Sequence, residues 1–168
     1  MEQVYSKMLH MVGVLNYYSL RPMFQYMNQQ CMNNLVGCEI GCYQGKNALN
    51  VLNHCGIQKF YLIEPVEERV LKQRFKKYED KIQFIFDYSY NVADCFLDGS
   101  LDFVYIDGDH SYASVKNDIN LFVSKVRKGG VIGGHDFNNY EVALAVVEYF
   151  GNKNIMTSGF ATDWWIQT

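Results

Sequence analysis

The sequence is short of several things, and each shortage excludes a class of protein. Proline is scarce, with two in 168 residues. Pro22 and Pro65 both fall where an element would start, and no Pro/Gly-rich linker, repeat or low-complexity tract divides the chain. No apolar run approaches the roughly eighteen residues needed to span a bilayer. Positive charge is in slight deficit, 15 Lys and Arg against 18 Asp and Glu, for a net charge of −3. That balance gives no footprint for nucleic acid or for an anionic membrane. The start carries an acid at Glu2 and no clear cleavage site, so no signal peptide is expected. The five cysteines, at 31, 38, 42, 55 and 95, are odd in number, irregular in spacing and without a C-x-x-C. A disulfide framework is therefore not expected, and a reducing cytoplasm is the simpler setting. Cys38, Cys42, His54 and Cys55 suggest a zinc site only on paper, because Cys38 sits in a strand pattern and the spacing fits no usual finger.

What remains is an ordinary globular composition, 49% apolar and 20% charged, and a length that suits a single domain, 1–168. Aromatic residues are abundant, 13 Tyr and 11 Phe, enough to fill a core and still line a pocket. Residues 1–34 read as an N-terminal helical segment, and from residue 35 the patterns alternate. Strands are expected at 35–40, 60–63, 82–86, 101–106 and 130–132. Helices are expected at 46–54, 66–78, near 92–96, at 113–126 and at 141–150. Two short strands, 155–158 and 164–167, close the chain. Alternation of this kind predicts a doubly wound, Rossmann-like α/β fold. The seven-stranded sheet should be mostly parallel, with an antiparallel C-terminal hairpin, because a short turn cannot return a strand parallel.

The segment 101–137 carries the most chemistry. Its two apolar runs each end in a polar cluster, Asp107-Gly108-Asp109-His110 and His135-Asp136. A right-handed crossover makes those strands parallel and puts both clusters at carboxyl ends, where open α/β sheets bind ligands. Asp107 and Asp136 can hold a divalent cation through oxygen, with His135 as a third, softer ligand. The alternative is a capping network at the strand ends, with Asp109 or Ser111 capping the next helix. The first strand ends in Glu39-Ile40-Gly41-Cys42-Tyr43-Gln44-Gly45, a glycine loop spaced G-x-x-x-G rather than G-x-G-x-x-G. Glu39 beside it suits a cationic ligand better than a pyrophosphate, unless it is a solvated residue at a tight turn. Glu64, at the tip of the second strand, can accept both hydroxyls of a ribose or cap the helix after Pro65. Asp87 and Ser89, after the third strand, can bond a base on which Tyr88 stacks, or can form a plain turn.

Taken together, E-I-G-x-x-x-G, Y-L-I-E-P, F-V-Y-I-D-G-D-H-S-Y and G-G-V-I-G-G-H-D-F resemble the class I S-adenosylmethionine-dependent methyltransferases. The resemblance is to the small-molecule O-methyltransferase branch with I-D-G-D-H-x-Y and G-G-x-x-x-G-H-D, to which sugar O-methyltransferases are related, and it covers about residues 35–168. It implies S-adenosylmethionine as cofactor, bound by Glu39, Gly41, Gly45, Glu64, Asp87, Ser89 and Asp107. It implies methylation of a hydroxyl on a small molecule such as a sugar, with His110 as base beside Asp107. It also implies Mg²⁺ or another divalent cation on Asp107, His135 and Asp136, although His135 stands where relatives often carry an acid. Related enzymes often build specificity from a longer N-terminal segment, which points to a homo-oligomer. An NAD-type oxidoreductase is the other enzymatic reading, and the glycine spacing opposes it. A silent cofactor-binding domain is the third.

Overall fold

The computed structural model describes residues 20–67, 69–151, 153–158 and 162–168. Of the expected N-terminal helical segment, residues 1–19 lie outside that range. Its remainder forms helix α1 (Pro22–Gln29), with Pro22 in the first turn, where a missing N–H costs nothing. There follow β1 (Asn33–Ile40), α2 (Lys46–His54), β2 (Gly56–Ile63), α3 (Arg69–Arg74), β3 (Ile82–Ile85), α4 (Ser89–Val92), β4 (Leu101–Ile106), α5 (Tyr112–Phe122), β5 (Val126–His135), α6 (Tyr140–Phe150), β6 (Met156–Thr157) and β7 (Asp163–Gln167). No described helix is long and apolar enough to cross a membrane.

The strands form one seven-stranded sheet in the order β3-β2-β1-β4-β5-β7-β6. β1 to β5 pair parallel, as expected. β6 and β7 pair antiparallel, also as expected, and β7 inserts between β5 and β6, antiparallel to both. Alternation along β7 explains the insertion. Trp164 packs into one core cluster and Trp165 into the other, so the strand needs cover on both faces. Along β4, Val104 and Ile106 face the cluster under α4, α5 and α6, while Phe103 and Tyr105 face that under α1, α2 and α3. Phe24 meets Phe103 edge-on at 5.4 Å and Tyr105 at 5.2 Å, which docks α1 on the sheet.

Several bounds differ from expectation: β2 begins at Gly56 rather than 60, the helix expected at 113–126 ends at Phe122, and that expected near 92–96 lies at Ser89–Val92. The helix expected at 66–78 shrinks to α3 and a separate tight turn at Lys76–Tyr78. Among the described residues of that stretch, Leu71 and Phe75 alone are buried in the core, too few to hold a long amphipathic helix. β5 begins at Val126 rather than 130, because the sheet extends through glycines whose low strand propensity hid it.

Because both faces of β7 are covered, Trp164→Ala and Trp165→Ala should each lower stability by about 3–5 kcal/mol. Tyr140→Ala, at a side chain 76% exposed, should stay within about 0.5 kcal/mol. Urea-denaturation midpoints check this, and a tolerated Trp164→Ala would contradict the two-sided packing.

Candidate functional site

The order of the sheet makes β1 and β4 its central neighbours, with the chain winding away from them in opposite directions. The crevice at their carboxyl ends is the usual ligand position of such a sheet. Backbone bonds hold the tips together. Asp107 N–H donates to the Ile40 carbonyl at 2.8 Å, Gly41 N–H to the Ile63 carbonyl at 2.9 Å, and Glu64 N–H to the Ile85 carbonyl at 3.0 Å. Gly41 adopts φ +81°, and a Cβ there would lie 2.4 Å from the Asp107 carbonyl oxygen. Only glycine satisfies both demands. Gly45, also at positive φ, begins α2.

A cavity of about 490 Å³ opens on one side of this junction, walled by Gly41, Tyr43, Glu64, Asp87, Tyr88, Ser89, Asp107 and Asp118. Glu64 accepts Tyr43 N–H at 2.7 Å and Val66 N–H at 3.3 Å, so its carboxylate is fixed against the glycine loop. Asp87 accepts from Asn91 Nδ2 at 2.8 Å and Tyr88 N–H at 2.7 Å, and these bonds, the Asn91 one foremost, hold its pKa down. Tyr88 stacks on Tyr90, ring centroids 5.2 Å apart, and both rings are exposed at the rim. Ser89 donates to Asp118 Oδ1 at 2.5 Å. Asp118 is buried, and its pKa is pushed up to about 6 chiefly by that burial. The sequence reading missed it. The signal was there, for Asp118 shares the apolar stripe of α5 with Val115, Ile119 and Phe122.

A second cavity, about 270 Å³, opens on the other side and shares Gly41, Tyr43 and Asp107 with the first. Glu39 lines it and is only 1% exposed, so it is no solvated turn residue. Burial first, then the Asp107 charge, push its pKa up to about 8, against a hydrogen bond from Asn47 Nδ2 at 3.3 Å. Its Oε2 is buried without a hydrogen-bond partner. Arg21 joins this wall, with Nη1 3.6 Å from Asp163 Oδ1. Asp163 is fully buried and also accepts the Tyr105 hydroxyl at 3.3 Å. Neither Arg21 nor Asp163 was singled out from the sequence, since both take their meaning from a contact 142 positions apart.

The two polar clusters converge as expected. His110 Nε2 lies 3.5 Å from Asp107 Oδ1 and 3.2 Å from Asp136 Oδ2. His135 Nδ1 lies 3.4 Å from Asp107 Oδ1 and 3.1 Å from Asp136 Oδ1. The four residues form a closed ring of alternating imidazole and carboxylate. Burial alone would raise the Asp107 pKa, but the facing His110 and His135 imidazoles outweigh it and hold the carboxyl low. His110 moves the other way, raised first by Asp107. Asp136 holds φ +55°, and Tyr43, in the glycine loop, φ +44°. Left-handed non-glycine residues carry strain of about 1–3 kcal/mol each and cluster at functional sites. Asp109 stays out of the ring. It accepts from Ser111 N–H, Ser111 Oγ and Ser114 Oγ, while Ser111 caps α5. The capping network and the ring thus coexist on different residues. Among the described residues, the group able to hold a metal ion is Asp107, His110 and His135, with ligand atoms within 4.8 Å of one another. Cys38, Cys42, His54 and Cys55 form no such group there, and all the described cysteines are free.

Comparison with known proteins agrees with this geometry. The sequence pattern of a family described as a methyltransferase domain matches residues 38–137. An uncharacterized protein of Acanthamoeba polyphaga mimivirus is 32% identical over 120 residues, which cover 64% of this chain and 54% of that protein. The chain thus spans about half the length of that curated relative. Among solved structures, a putative caffeoyl-CoA O-methyltransferase from Staphylococcus aureus superposes with TM-score 0.68 at 15% identity, covering 96% of this chain and 91% of its own. The Burkholderia thailandensis 1,6-didemethyltoxoflavin-N1-methyltransferase, solved with its substrate and S-adenosylhomocysteine, superposes with TM-score 0.59 at 11% identity, covering 99% and 69%.

The buried Asp118 generates a pH test. Its folded pKa, about 6 against an ordinary 3.8, means the folded state keeps a proton that the unfolded state releases. Stability contributed here therefore falls as pH rises between about 4 and 6, and the penalty persists above that window. Asp118→Asn keeps an acceptor for Ser89 and has no charge to desolvate. It should be about 1–3 kcal/mol more stable than the parent at pH 7–8, and the gain should vanish by about pH 4. Chemical denaturation across that range measures it, and a pH-independent difference would rule out the buried charge as cause.

Proposed function

The chain belongs to the methyltransferase-domain family, and we propose that it transfers the methyl group of S-adenosylmethionine to a hydroxyl of a small polar acceptor, a sugar or sugar-bearing metabolite. One observation carries the proposal. A fixed carboxylate suited to a ribose, Glu64, and two members of the histidine–aspartate ring, Asp107 and His135, line adjoining cavities that share Gly41 and Asp107, and His110 joins them through Asp107. The S-adenosylhomocysteine held by the B. thailandensis neighbour supports the cofactor. The S. aureus neighbour, a putative caffeoyl-CoA O-methyltransferase, supports the acceptor atom. The resemblance of the I-D-G-D-H-S-Y and G-G-V-I-G-G-H-D segments to sugar O-methyltransferases supports the acceptor class. A buried, unpartnered Glu39 beside the glycine loop opposes a dinucleotide pyrophosphate, which would meet a carboxyl where it needs a donor.

In this reading Glu64 takes the ribose hydroxyls, and Asp87 and Ser89 face the base with Tyr88 against its plane. Gly41 and Gly45 let the cofactor approach the backbone, and Glu39 lies toward the sulfonium. Methyl transfer is an in-line displacement. The acceptor oxygen forms a bond to the methyl carbon while the S–C bond breaks, and its electron pair stays on sulfur, leaving S-adenosylhomocysteine. Positioning on that axis supplies much of the rate. His110 takes the hydroxyl proton, a task for a group titrating near neutrality. Asp107 and Asp136 orient His110 and stabilise the imidazolium that forms. A divalent cation, expected on Asp107, His135 and Asp136, would instead take Asp107, His110 and His135, whose ligand atoms lie within 4.8 Å of one another, and would then displace His110 from the role of base. Two imidazoles beside one carboxylate suit a borderline ion better than magnesium. Such an ion would lower the pKa of a bound hydroxyl.

Glu64→Ala should leave a folded protein that binds S-adenosylhomocysteine more weakly by about 2 kcal/mol or more, the scale of lost charged hydrogen bonds. Unchanged affinity by calorimetry would remove Glu64 from the ribose. With an identified acceptor, His110→Ala should slow turnover by roughly 10² to 10⁴ while cofactor affinity holds. Asp107→Ala and Asp136→Ala should slow it steeply as well, and so should a chelator. A chelator without effect beside a crippled His110→Ala would reduce the acids to orienting the histidine.

A further inference from the structure

A ligand whose ribose rests on Glu64 fills the larger cavity with its sugar and base, because Glu64, Asp87 and Ser89 all line that side. Beyond Gly41 the crevice continues into the smaller cavity. There the lining carries both a carboxyl and a guanidinium. Glu39 presents a buried Oε2 with no partner, and Arg21 presents its guanidinium. The side chain of Arg21 is 27% exposed, and its ion pair is with Asp163 at 3.6 Å. That is well beyond the roughly 2.7–2.9 Å of a tight charge-assisted bond, so the guanidinium fork is not saturated by Asp163. Asp163 in turn accepts the Tyr105 hydroxyl at 3.3 Å. It holds Arg21 at the cavity wall from behind. Both residues lie outside the segment 38–137 that the family pattern matches.

We infer that Arg21 binds the carboxylate of the cofactor's amino-acid tail, with Asp163 as its positioning residue. The inference rests on the cofactor reading above and extends it to a residue supplied by the chain ahead of β1. A zwitterionic tail needs an acceptor for its ammonium and a fixed cation for its carboxylate. Glu39 and Arg21, which line the same cavity, supply the two, and arginine's fork matches a carboxylate bidentately.

The test titrates two probes by calorimetry. S-adenosylhomocysteine carries the tail, and 5′-deoxy-5′-methylthioadenosine keeps base, ribose and sulfur with a methyl in its place. Arg21→Gln should weaken S-adenosylhomocysteine about tenfold or more and change methylthioadenosine less than twofold. Should the lone Asp163 charge unfold that variant, Arg21→Gln with Asp163→Asn removes both charges and should show the same selective loss. Equal weakening of both probes, or none, overturns the role of Arg21 while leaving the cofactor reading intact. A parent protein that binds neither probe overturns both.

Discussion

At the centre of the sheet the Asp107 N–H donates to the Ile40 carbonyl at 2.8 Å, and Gly41 passes the Asp107 carbonyl with no room for a methyl group. Two strand tips are thereby drawn into backbone contact. The turn after β1 can then lie low enough to leave open space above it, and Asp107 reaches both cavities. The same contact fixes where His110 and His135 stand, since both are measured from the Asp107 carboxylate. A bulkier residue at Gly41 would push β4 away from β1 and divide one crevice into two unrelated hollows.

Around that junction the acids divide by environment. Asp107 keeps its charge because two imidazoles face it. Glu39, Asp118 and Asp163 lie in the protein interior, where burial pushes each toward its neutral form. Burying a carboxyl is expensive unless it is paired, and the pairing here is partial, for Glu39 Oε2 and Asp163 Oδ2 have no partner. A core built for stability alone would fill those positions with apolar side chains. Glu39 and Asp118 line the crevice and Asp163 braces Arg21 at its edge, and with strained Tyr43 and Asp136 nearby this marks stability given up for binding and chemistry.

Strand tips were readable from the sequence because a local pattern specifies them. An apolar run followed by Asp107, or by His135-Asp136, carries its own end signal, and parallel winding then brings the ends together. Glu39, Gly41 and Glu64 were legible for the same reason, as was the alternation that buries Trp164 and Trp165 on opposite faces. Arg21 and Asp163 were not, since each acquires meaning only when α1 and β7 pack near β5. Asp118 fell between these cases. Its place on the apolar stripe of α5 was visible, but its partner Ser89 belongs to another element. The helix after Pro65 was overestimated because its charges follow helical spacing without enough apolar residues to anchor it. The long β5 was underestimated because its glycines disguise a strand whose neighbours on both sides supply the pairing.

Both tryptophans of the chain occupy neighbouring positions on β7, directly after the acid that braces Arg21. Both indoles are shielded from water, and the Trp165 Nε1 is buried without a hydrogen-bond partner. The tryptophan fluorescence of the protein is therefore the emission of a single strand, blue-shifted by its dry surroundings. It samples the polarity of the sheet where β7 meets Arg21 and is blind to the Glu64 side of the crevice. The molecule carries an optical reporter of its own, placed by the same alternation that builds its core.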